Sequence, residues 1–277
     1  MTMKNVLIVT PTLRRAEERY LAALGETGVR VKVCHDSGTA LKWLETRAFH
    51  SLLIDGSFSL PHMLALANAL WNRTPEAPCW VVDYEGKFSL ESQTLKVYGL
   101  ELALGEDGLR EVVDTHCAIV ASKDFDRENF PILVVEDLDS PRDIICIFLE
   151  SLGFPKVVGT ASAKEALHLL ESESSRFACI VTDIQMPEIT GKDLIGIVRA
   201  NSNLQHVPII VLTAYGTVEM LVECLHAGAS GFLVKPPKKD DMLRELSRAV
   251  RISAGIESPR LASPHEAEYV RKLFERS

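Results

Sequence analysis

Residues 179–191 read CIVTDIQMPEITG, and this stretch decides how the surrounding chain folds. An apolar run of strand length ends at the carboxylate of Asp183, and Pro187 follows four residues later. The Met186–Pro187 pair cannot continue a strand ladder, because proline has no backbone N–H to donate. A plain turn explains these residues as well as a functional site does, since Asp is common where strands end. The choice depends on whether other polar side chains meet Asp183.

Short apolar runs alternate with segments of helical period on both sides of this stretch. The runs predict strands at 131–136, 156–160, 178–182, 208–213 and 231–234, and the segments between them predict helices near 140–152, 163–173, 190–201, 216–227 and 239–252. Fully apolar runs without alternation are typical of parallel strands buried on both faces. The pattern therefore predicts an α/β domain with a doubly wound (βα)5 fold of flavodoxin-like strand order.

The first part of the chain repeats this pattern. Val6–Val9 matches Ile132–Val135, and Phe49–Asp55 matches Phe177–Asp183 in the same order along the chain. Two copies of one fold in tandem are the simplest explanation. The predicted domains are residues 1–122, a polar linker at 123–130, a second domain at 131–254 and a C-terminal tail at 255–277.

Composition limits the class of protein. A chain of 277 residues with 47% hydrophobic and 25% charged residues has room for two globular cores. Its formal net charge of −8 argues against an extended nucleic-acid surface, and no apolar run reaches the ~20 residues of a membrane span. The six cysteines are scattered without a C-x-x-C pair, as expected of small core residues in a reducing compartment. We therefore expect a cytoplasmic protein that binds neither nucleic acid nor membrane.

Polar side chains follow four of the five strands predicted for the second domain. They are Glu136 and Asp137 after the first strand, Asp183 after the third, Thr213 at the fourth and Lys235 after the fifth. Because the carboxyl ends of parallel strands lie at one edge of a sheet, these side chains should lie close together. Oxygen ligands with room for water suit Mg²⁺, which would relieve the repulsion between the acids. Asp183 could then attack phosphorus and carry the group as an acyl phosphate, while Thr213 and Lys235 bind phosphoryl oxygens.

Residues 131–252 resemble the receiver domain of bacterial two-component systems. The matching residues, in order, are Glu136-Asp137, Asp183 with Met186-Pro187, Thr213-Ala214 and Lys235-Pro236. The resemblance implies that a sensor histidine kinase or phosphotransfer protein passes a phosphoryl group from phosphohistidine to Asp183, with Mg²⁺ as cofactor. It also implies metal ligation by Asp137, Asp183 and the backbone carbonyl of Gln185, with Glu136 acting through water. Glu136 departs mildly from the family pattern, in which Asp is commoner at this position.

The same resemblance implies further roles. Phe232, on the last strand, stands where receivers carry a switch aromatic; a half-buried strand aromatic is the other interpretation. On phosphorylation Thr213 would move toward the phosphoryl group and Phe232 would fill the vacated space, shifting a two-state equilibrium. Gln185 and Tyr215, two residues beyond Asp183 and Thr213, would tune the lifetime of the acyl phosphate, unless they are ordinary loop residues.

The first domain lacks most of these groups. Its first strand ends at Thr10-Pro11 instead of two acids, Asp83 ends its fourth strand where the hydroxyl belongs, and Leu100–Leu104 offers no lysine. Asp55 matches the phosphoacceptor position but has no Met-Pro pair after it. The first domain therefore resembles a degenerate pseudo-receiver, and we expect no phosphorylation at Asp55. A cation site between Asp55 and Asp83 has no further support in the sequence.

The tail after the second domain is short. Ser263 and Pro264 begin a predicted amphipathic helix, which either docks on its own domain or binds a partner. The leading hypothesis is a phosphorylation-controlled response regulator that signals through the face of the helix near 216–227 together with the last strand and helix, as a monomer or a homodimer. We expect no enzymatic activity beyond self-catalysed phosphorylation and dephosphorylation, because no glycine-rich phosphate or flavin loop is present. The alternative is the regulatory portion of a longer protein with a separate catalytic domain, such as a nucleotide cyclase.

Overall fold

The computed structural model describes most of the chain. The described residues are 5–11, 18, 21–22, 30–88, 95–96, 98–105, 107–109, 112, 125–172, 177–214 and 216–262. The chain divides into two compact units, Met1–Phe125 and Asp126–Ser277, here called the N-terminal unit and the C-terminal unit. The predicted linker, residues 123–130, contains this division, and the exact limits of the two domains stay a prediction.

The N-terminal unit is built on a parallel sheet. Its described strands are β1 (Asn5–Val9), β2 (Arg30–Cys34), β3 (Ser51–Asp55), β4 (Cys79–Asp83) and β5 (Glu101–Leu104), and its described helices include α1 (Ser37–Thr46) and α2 (Leu60–Arg73). The strands lie in the order β2-β1-β3-β4-β5, and each neighbouring pair is parallel. This is the predicted flavodoxin-like order, with the first strand between the second and the third.

Local sequence determines where the helices of this unit begin and how α2 is held. The side chain of Asp36 accepts a hydrogen bond from the Thr39 backbone N–H at 2.8 Å and caps α1. Pro61 stands in the first turn of α2, where a backbone N–H has no helical partner to lose. Trp71 of α2 is fully buried and donates its indole N–H to the Ala77 carbonyl at 2.9 Å. This bond ties the end of α2 to the segment that leads into β4.

The C-terminal unit has the same architecture. Its strands are β6 (Ile132–Val135), β7 (Val157–Thr160), β8 (Cys179–Thr182), β9 (Ile209–Thr213) and β10 (Gly231–Val234), and its described helices are α3 (Asp139–Ser151), α4 (Ala163–Ser172), α5 (Gly191–Ala200), α6 (Val218–Ala227) and α7 (Lys239–Ser253). The sheet order is β10-β9-β8-β6-β7, again with parallel pairs throughout.

The three inner strands of this second sheet are buried on both faces. Every residue of β6, β8 and β9 is buried, which is why their sequences are largely apolar without alternation. Leu133 of β6 belongs to a core cluster to which α4 contributes Leu170 and α5 contributes Leu194. The helices therefore cover the sheet and leave its carboxyl edge as the place where polar side chains can collect.

Hydrogen-bonded caps set the ends of α5 and α6. The Thr190 hydroxyl accepts from the Asp193 N–H at 3.1 Å, and the Asp193 carboxylate accepts from the Thr190 N–H at 3.2 Å, forming a capping box. The Thr217 hydroxyl accepts from the Met220 N–H at 3.2 Å and starts α6. Gly228, with φ of 102°, ends α6 in the left-handed conformation that glycine adopts without strain.

The fold predicted from the sequence is confirmed. Each strand and helix predicted for the second domain is present, with ends within two residues of those expected. The amphipathic helix predicted for the tail, residues 263–277, lies outside the described residues. None of the helices that the structure describes is both long enough and apolar enough to span a bilayer.

The described cysteines are free thiols that mostly lie in the two cores. Cys34, Cys79, Cys179 and Cys224 are buried, and Cys146 is half-buried. Burial raises the pKa of the Cys179 thiol, and raises that of Cys224 to about 12. Both thiols therefore stay protonated at neutral pH and pack as small apolar side chains.

Leu52→Ala should lower the free energy of unfolding of the N-terminal unit by about 2–5 kcal/mol, because the fully buried side chain leaves a cavity in the core. All three tryptophans, Trp43, Trp71 and Trp80, lie in this unit, so tryptophan fluorescence during guanidinium unfolding reports its transition. The control is Leu104→Ala, at a side chain that is 47% exposed and should cost no more than ~0.5 kcal/mol. Equal losses would contradict the assignment of Leu52 to the core.

Candidate phosphoryl-acceptor site

Polar residues at the ends of four strands of the C-terminal unit lie at the carboxyl edge of its sheet. Glu136 and Asp137 follow β6, Asp183 follows β8, Thr213 ends β9 and Lys235 follows β10. Oxygens of the three carboxylates all lie within 4.8 Å of one another. The strand order places β6, β8, β9 and β10 side by side, so residues from both halves of the unit reach one site.

Lys235 joins acids that follow two different strands. Its Nζ lies 2.5 Å from Oε2 of Glu136 and 3.1 Å from Oδ2 of Asp183. The Glu136 side chain is 1% exposed and that of Asp183 is 11% exposed, so water screens these ion pairs only weakly. With all four groups ionised, three carboxylates and one ammonium leave two net negative formal charges. A divalent cation would neutralise that charge.

Main-chain hydrogen bonds hold Asp183 and its neighbours in place. The Asp183 N–H donates to the Val135 carbonyl at 2.9 Å and extends the pairing of β6 with β8 by one residue. Its Oδ1 accepts from the Ile184 N–H at 2.8 Å, which leaves Oδ2 toward Lys235. Likewise, the Lys235 N–H donates to the Thr213 carbonyl at 2.7 Å and extends the pairing of β9 with β10. Strand pairing therefore positions the main chain of both Asp183 and Lys235.

The Met186–Pro187 pair does form a turn after the acid. Ile184 and Met186 are each 6% exposed and belong to the core cluster, whereas Pro187 is exposed. The turn closes where the Gly191 N–H donates to the Ile184 carbonyl at 2.9 Å. Glu188, inside the turn, has a φ of 65°, in the left-handed region that few non-glycine residues adopt. Residues 179–191 thus combine a turn with an acidic site.

Two residues that support the site were not singled out from the sequence. Gly191 packs against the main chain of Asp183, because a Cβ at this position would lie 2.0 Å from the Asp183 carbonyl oxygen. Arg142 of α3 donates to the Glu136 carbonyl at 2.9 Å and pairs with the Asp139 carboxylate. A glycine directly after a capping threonine is a signal that could have indicated the first. An arginine in the first turns of a helix gives no comparable signal.

The remaining predicted site residues lie on or beside the same strands. Thr213 is fully buried at the end of β9. Phe232 is half-buried on β10, where it packs against the same core cluster as Met220 of α6. Gln185 is exposed, and Tyr215 lies outside the described residues. The switch role of Phe232 and the lifetime roles of Gln185 and Tyr215 stay predictions.

At the carboxyl edge of the N-terminal sheet, the acids accept hydrogen bonds from groups of their own unit. Asp55 accepts from the Thr10 hydroxyl at 2.9 Å and from the Ser57 N–H at 2.9 Å. Asp83 is 3% exposed and accepts from the backbone N–H groups two and five residues further on, at 3.1 and 2.8 Å. Within the described residues of this unit, no third acid, histidine or cysteine joins them as a possible metal ligand. The two units therefore present different chemistry at equivalent edges.

A lysine lies near the acids of the N-terminal unit but comes from another element. Lys87 pairs with Glu85 at 2.9 Å, and this hydrogen bond, with weaker help from the charges of Asp83 and Asp55, raises the pKa of the Lys87 ammonium. Lys87 follows β4, whereas Lys235 follows the fifth strand of its own sheet. Lys87 therefore does not occupy the position in its sheet that Lys235 occupies in the C-terminal unit.

Sequence comparison connects the acidic edge to known proteins. The chemotaxis protein CheY of Pseudomonas aeruginosa is 38% identical over 105 residues, which cover 38% of this chain and 83% of that protein. The chain belongs to the response regulator receiver family. The family model of the response regulator receiver domain matches residues 132–247, within the C-terminal unit. The two-component response regulator ORR5 of Oryza sativa subsp. japonica is 35% identical over 135 residues, covering 48% of this chain and 99% of that protein.

Solved structures of response regulators are also similar to this chain. A response regulator receiver protein from Pseudomonas putida is 32% identical, covers 43% of this chain and 97% of that chain, and has a TM-score of 0.39. A two-component system response regulator/GGDEF domain protein is 19% identical, covers 91% of this chain and 99% of that chain, and has a TM-score of 0.43. Since both scores are below 0.5, the family assignment rests on sequence identity. Residues 132–247 are a receiver domain of two-component signal transduction.

Gly191→Ala should destabilise the receiver by about 1–3 kcal/mol, the usual cost of overpacking. The added Cβ would lie 2.0 Å from the Asp183 carbonyl oxygen and 2.9 Å from the Ile184 Cα, so the main chain must shift. Gly196→Ala on the same helix is the matched control, because nothing lies within 4 Å of its added Cβ and alanine favours a helix. Thermal unfolding followed by circular dichroism measures both variants. An equal effect of the two substitutions would contradict the close approach at Gly191.

Proposed function

We propose that the receiver accepts a phosphoryl group on the carboxylate of Asp183 and passes its phosphorylation state to a partner protein. The main support is the convergence of Glu136, Asp137 and Asp183 with Lys235 at one edge of the sheet. The Asp183 side chain is partly exposed, so a phosphoryl donor can reach it, whereas the Glu136 side chain is buried. Membership of the receiver family supports the same chemistry.

The three acids fit a bound Mg²⁺. Their donor atoms are all carboxylate oxygens, which is the ligand type that Mg²⁺ prefers. Asp137 and Asp183 would hold the ion directly, together with the backbone carbonyl of Gln185. Glu136, whose Oε2 is paired with Lys235, would act through water. When bound, the ion supplies positive charge that offsets the charge of the incoming phosphoryl group.

The proposed transfer forms one bond and breaks one. A carboxylate oxygen of Asp183 forms a bond to phosphorus while the bond from phosphorus to an imidazole nitrogen of the donor phosphohistidine breaks. The imidazole leaves with the bonding electron pair and takes up a proton from solvent. Lys235 Nζ, 3.1 Å from Oδ2 of Asp183, would bind one phosphoryl oxygen, and the Thr213 hydroxyl would bind another. The product is an aspartyl phosphate, whose formation requires no further side-chain nucleophile.

Phosphorylation would then act on the ends of β9 and β10. Movement of Thr213 toward the phosphoryl group empties space that Phe232, half-buried on the neighbouring strand, can fill. A change in active population from 1:99 to 99:1 requires a preference of about 5.5 kcal/mol for the active state. The output is a changed protein-interaction surface, and the only reactions of the receiver are its own phosphorylation and dephosphorylation. Gln185 and Tyr215 would set the lifetime of the aspartyl phosphate by controlling access of water.

An exposed apolar surface next to the acids supports docking of the phosphoryl donor. Ile144 is 67% exposed and Ile147 is 65% exposed, and their spacing on α3 places them on one face. Leu138, at the start of the same helix and directly after Asp137, is 59% exposed. Large apolar side chains exposed in a group mark protein contacts. We call Ile144 and Ile147 the α3 surface, and we assign it to a sensor histidine kinase or phosphotransfer protein.

We also propose that the N-terminal unit is a degenerate receiver that acts through contacts and does not accept a phosphoryl group. Its strand order equals that of the C-terminal unit, which supports a shared fold. Thr10 stands where the C-terminal unit has acids and donates its hydroxyl to Asp55. The carboxylate of Asp55 is thus engaged with hydrogen-bond donors of its own unit.

Asp183→Asn should abolish phosphorylation, because an amide cannot form the aspartyl phosphate. Intact-mass spectrometry after incubation with Mg²⁺ and acetyl phosphate measures the modification. Asp55→Asn is the matched control and should be labelled as fully as the wild-type chain, while thermal unfolding shows that both variants fold. A label that persists in Asp183→Asn and disappears in Asp55→Asn would refute the proposed function.

Ile144→Ser and Ile147→Ser should each slow phosphoryl transfer from a histidine kinase that phosphorylates the wild-type chain. We expect about a tenfold decrease, the equivalent of ~1.4 kcal/mol, because each side chain loses its apolar contact with the donor. Ile197→Ser, at an isoleucine of α5 that is 42% exposed, is the control and should transfer at the wild-type rate. Labelling by acetyl phosphate should stay constant in all three variants. A parallel loss of acetyl phosphate labelling would assign the isoleucines to the site and not to docking.

A further inference from the structure

The segment after α7 turns back and lies on α6. Leu261 and Ala262 are each 5% exposed, and they form an apolar cluster with Val222 and Leu225 of α6, which are fully buried. We call residues 258–262 the strap. The strap covers a face of α6, the helix near 216–227 that is expected to be part of the signalling surface.

Polar contacts fix the strap at the C-terminal end of α6. The Leu261 N–H donates to the Ala229 carbonyl at 2.9 Å. The Pro259 carbonyl accepts from the Ser230 hydroxyl at 2.5 Å and from Nη2 of Arg199 at 3.2 Å. Arg199 is 7% exposed, and burial lowers the pKa of its guanidinium to about 10, so it remains charged at neutral pH. Other donors of this guanidinium bind backbone carbonyls, which makes it an anchor shared by the strap and the core.

The other end of α6 connects directly to the proposed phosphorylation site. A four-residue loop joins Thr213 to Val218, the first residue of α6. Gly216 in this loop lies against β10, since a Cβ there would be 2.4 Å from a methyl carbon of Val234. Gly216 therefore lies between the end of β9, the side chain of Val234 and the first turn of α6. Val218 and Leu221, in the first turn of α6, pack against the cluster that contains the strap.

We propose that the strap is a cover over an interaction face of α6 and that phosphorylation of Asp183 releases it. This inference rests on the proposed function, because it needs Asp183 to be the phosphoacceptor. Displacement of the first turn of α6 disturbs the packing of Leu261 and Ala262 in the cluster that they share with α6. In the unphosphorylated receiver, the strap itself covers this face of α6. Release exposes the apolar side chains beneath it to a downstream partner.

The coupling has to act in both directions. If a ligand weakens the attachment of the strap to α6, the attached strap must weaken binding of that ligand by the same factor, because linkage between two sites is reciprocal. The strap therefore lowers the affinity of the receiver for any phosphoryl mimic that releases it. Two independent measurements, one at each site, can test the same coupling.

Hydrogen–deuterium exchange at the Leu261 amide of the full chain provides the first measurement, with Mg²⁺ and beryllium fluoride as the phosphoryl mimic. We expect the mimic to accelerate exchange roughly five- to 150-fold, the usual range of coupling between sites. Exchange should not change when the mimic is added to Asp183→Asn. Fluorine NMR of the bound fluoride reports binding of the mimic independently.

Leu261→Ala provides the reciprocal measurement. A weaker strap should tighten binding of beryllium fluoride by up to the factor by which the mimic accelerates exchange, whereas the exposed control Leu104→Ala should leave the affinity unchanged. A mimic that binds while Leu261 exchange stays constant or slows would refute release of the strap and leave the proposed function standing. Failure of the wild-type chain to bind the mimic would refute the proposed function, and release by phosphorylation with it.

Discussion

One ammonium group between two carboxylates is the contact on which the C-terminal unit depends. Lys235 follows the last strand and Glu136 follows the first, 99 positions away in the sequence, and Asp183 follows β8, the neighbour of the first strand in the sheet. Loss of one partner from such a buried pair costs about 3–5 kcal/mol, because the remaining charge is left without compensation. The sheet can gather three acids at its edge because this lysine offsets part of their repulsion. The proposed reaction uses the same ammonium, so the stability of the edge and its chemistry cannot be changed separately.

The two units show how little the fold alone decides about chemistry. Both sheets have the same strand order, and in both an aspartate follows or ends the third strand. In one unit, Asp183 stands beside two further acids and a lysine. In the other, Asp55 accepts hydrogen bonds from a hydroxyl and a backbone N–H. The two edges therefore differ in a few side chains at the strand ends and not in their fold.

Much of the fold and the acidic edge could be predicted from the sequence, for reasons that the structure makes clear. Strands buried on both faces require continuous apolar runs, and parallel strands end at one edge, so polar residues after those runs had to meet. The position of Gly191 after a capping threonine is visible in the sequence, but its contact with the Asp183 carbonyl depends on the course of the turn between the two residues. The strap could not be predicted, since Pro259 is held by Arg199, 60 positions earlier, through a carbonyl that any residue possesses.

The hydrogen bonds of the acids in the N-terminal unit restrict which substitutions could give this edge a reactive aspartate. Each carboxylate oxygen of Asp55 and Asp83 already accepts a hydrogen bond from within the unit. Replacing Thr10 by an acid would remove the hydroxyl that Asp55 uses and add a like charge beside it, while Lys87 is already paired with Glu85. A reactive aspartate at this edge would thus require several substitutions at once, and the first of them is unfavourable on its own.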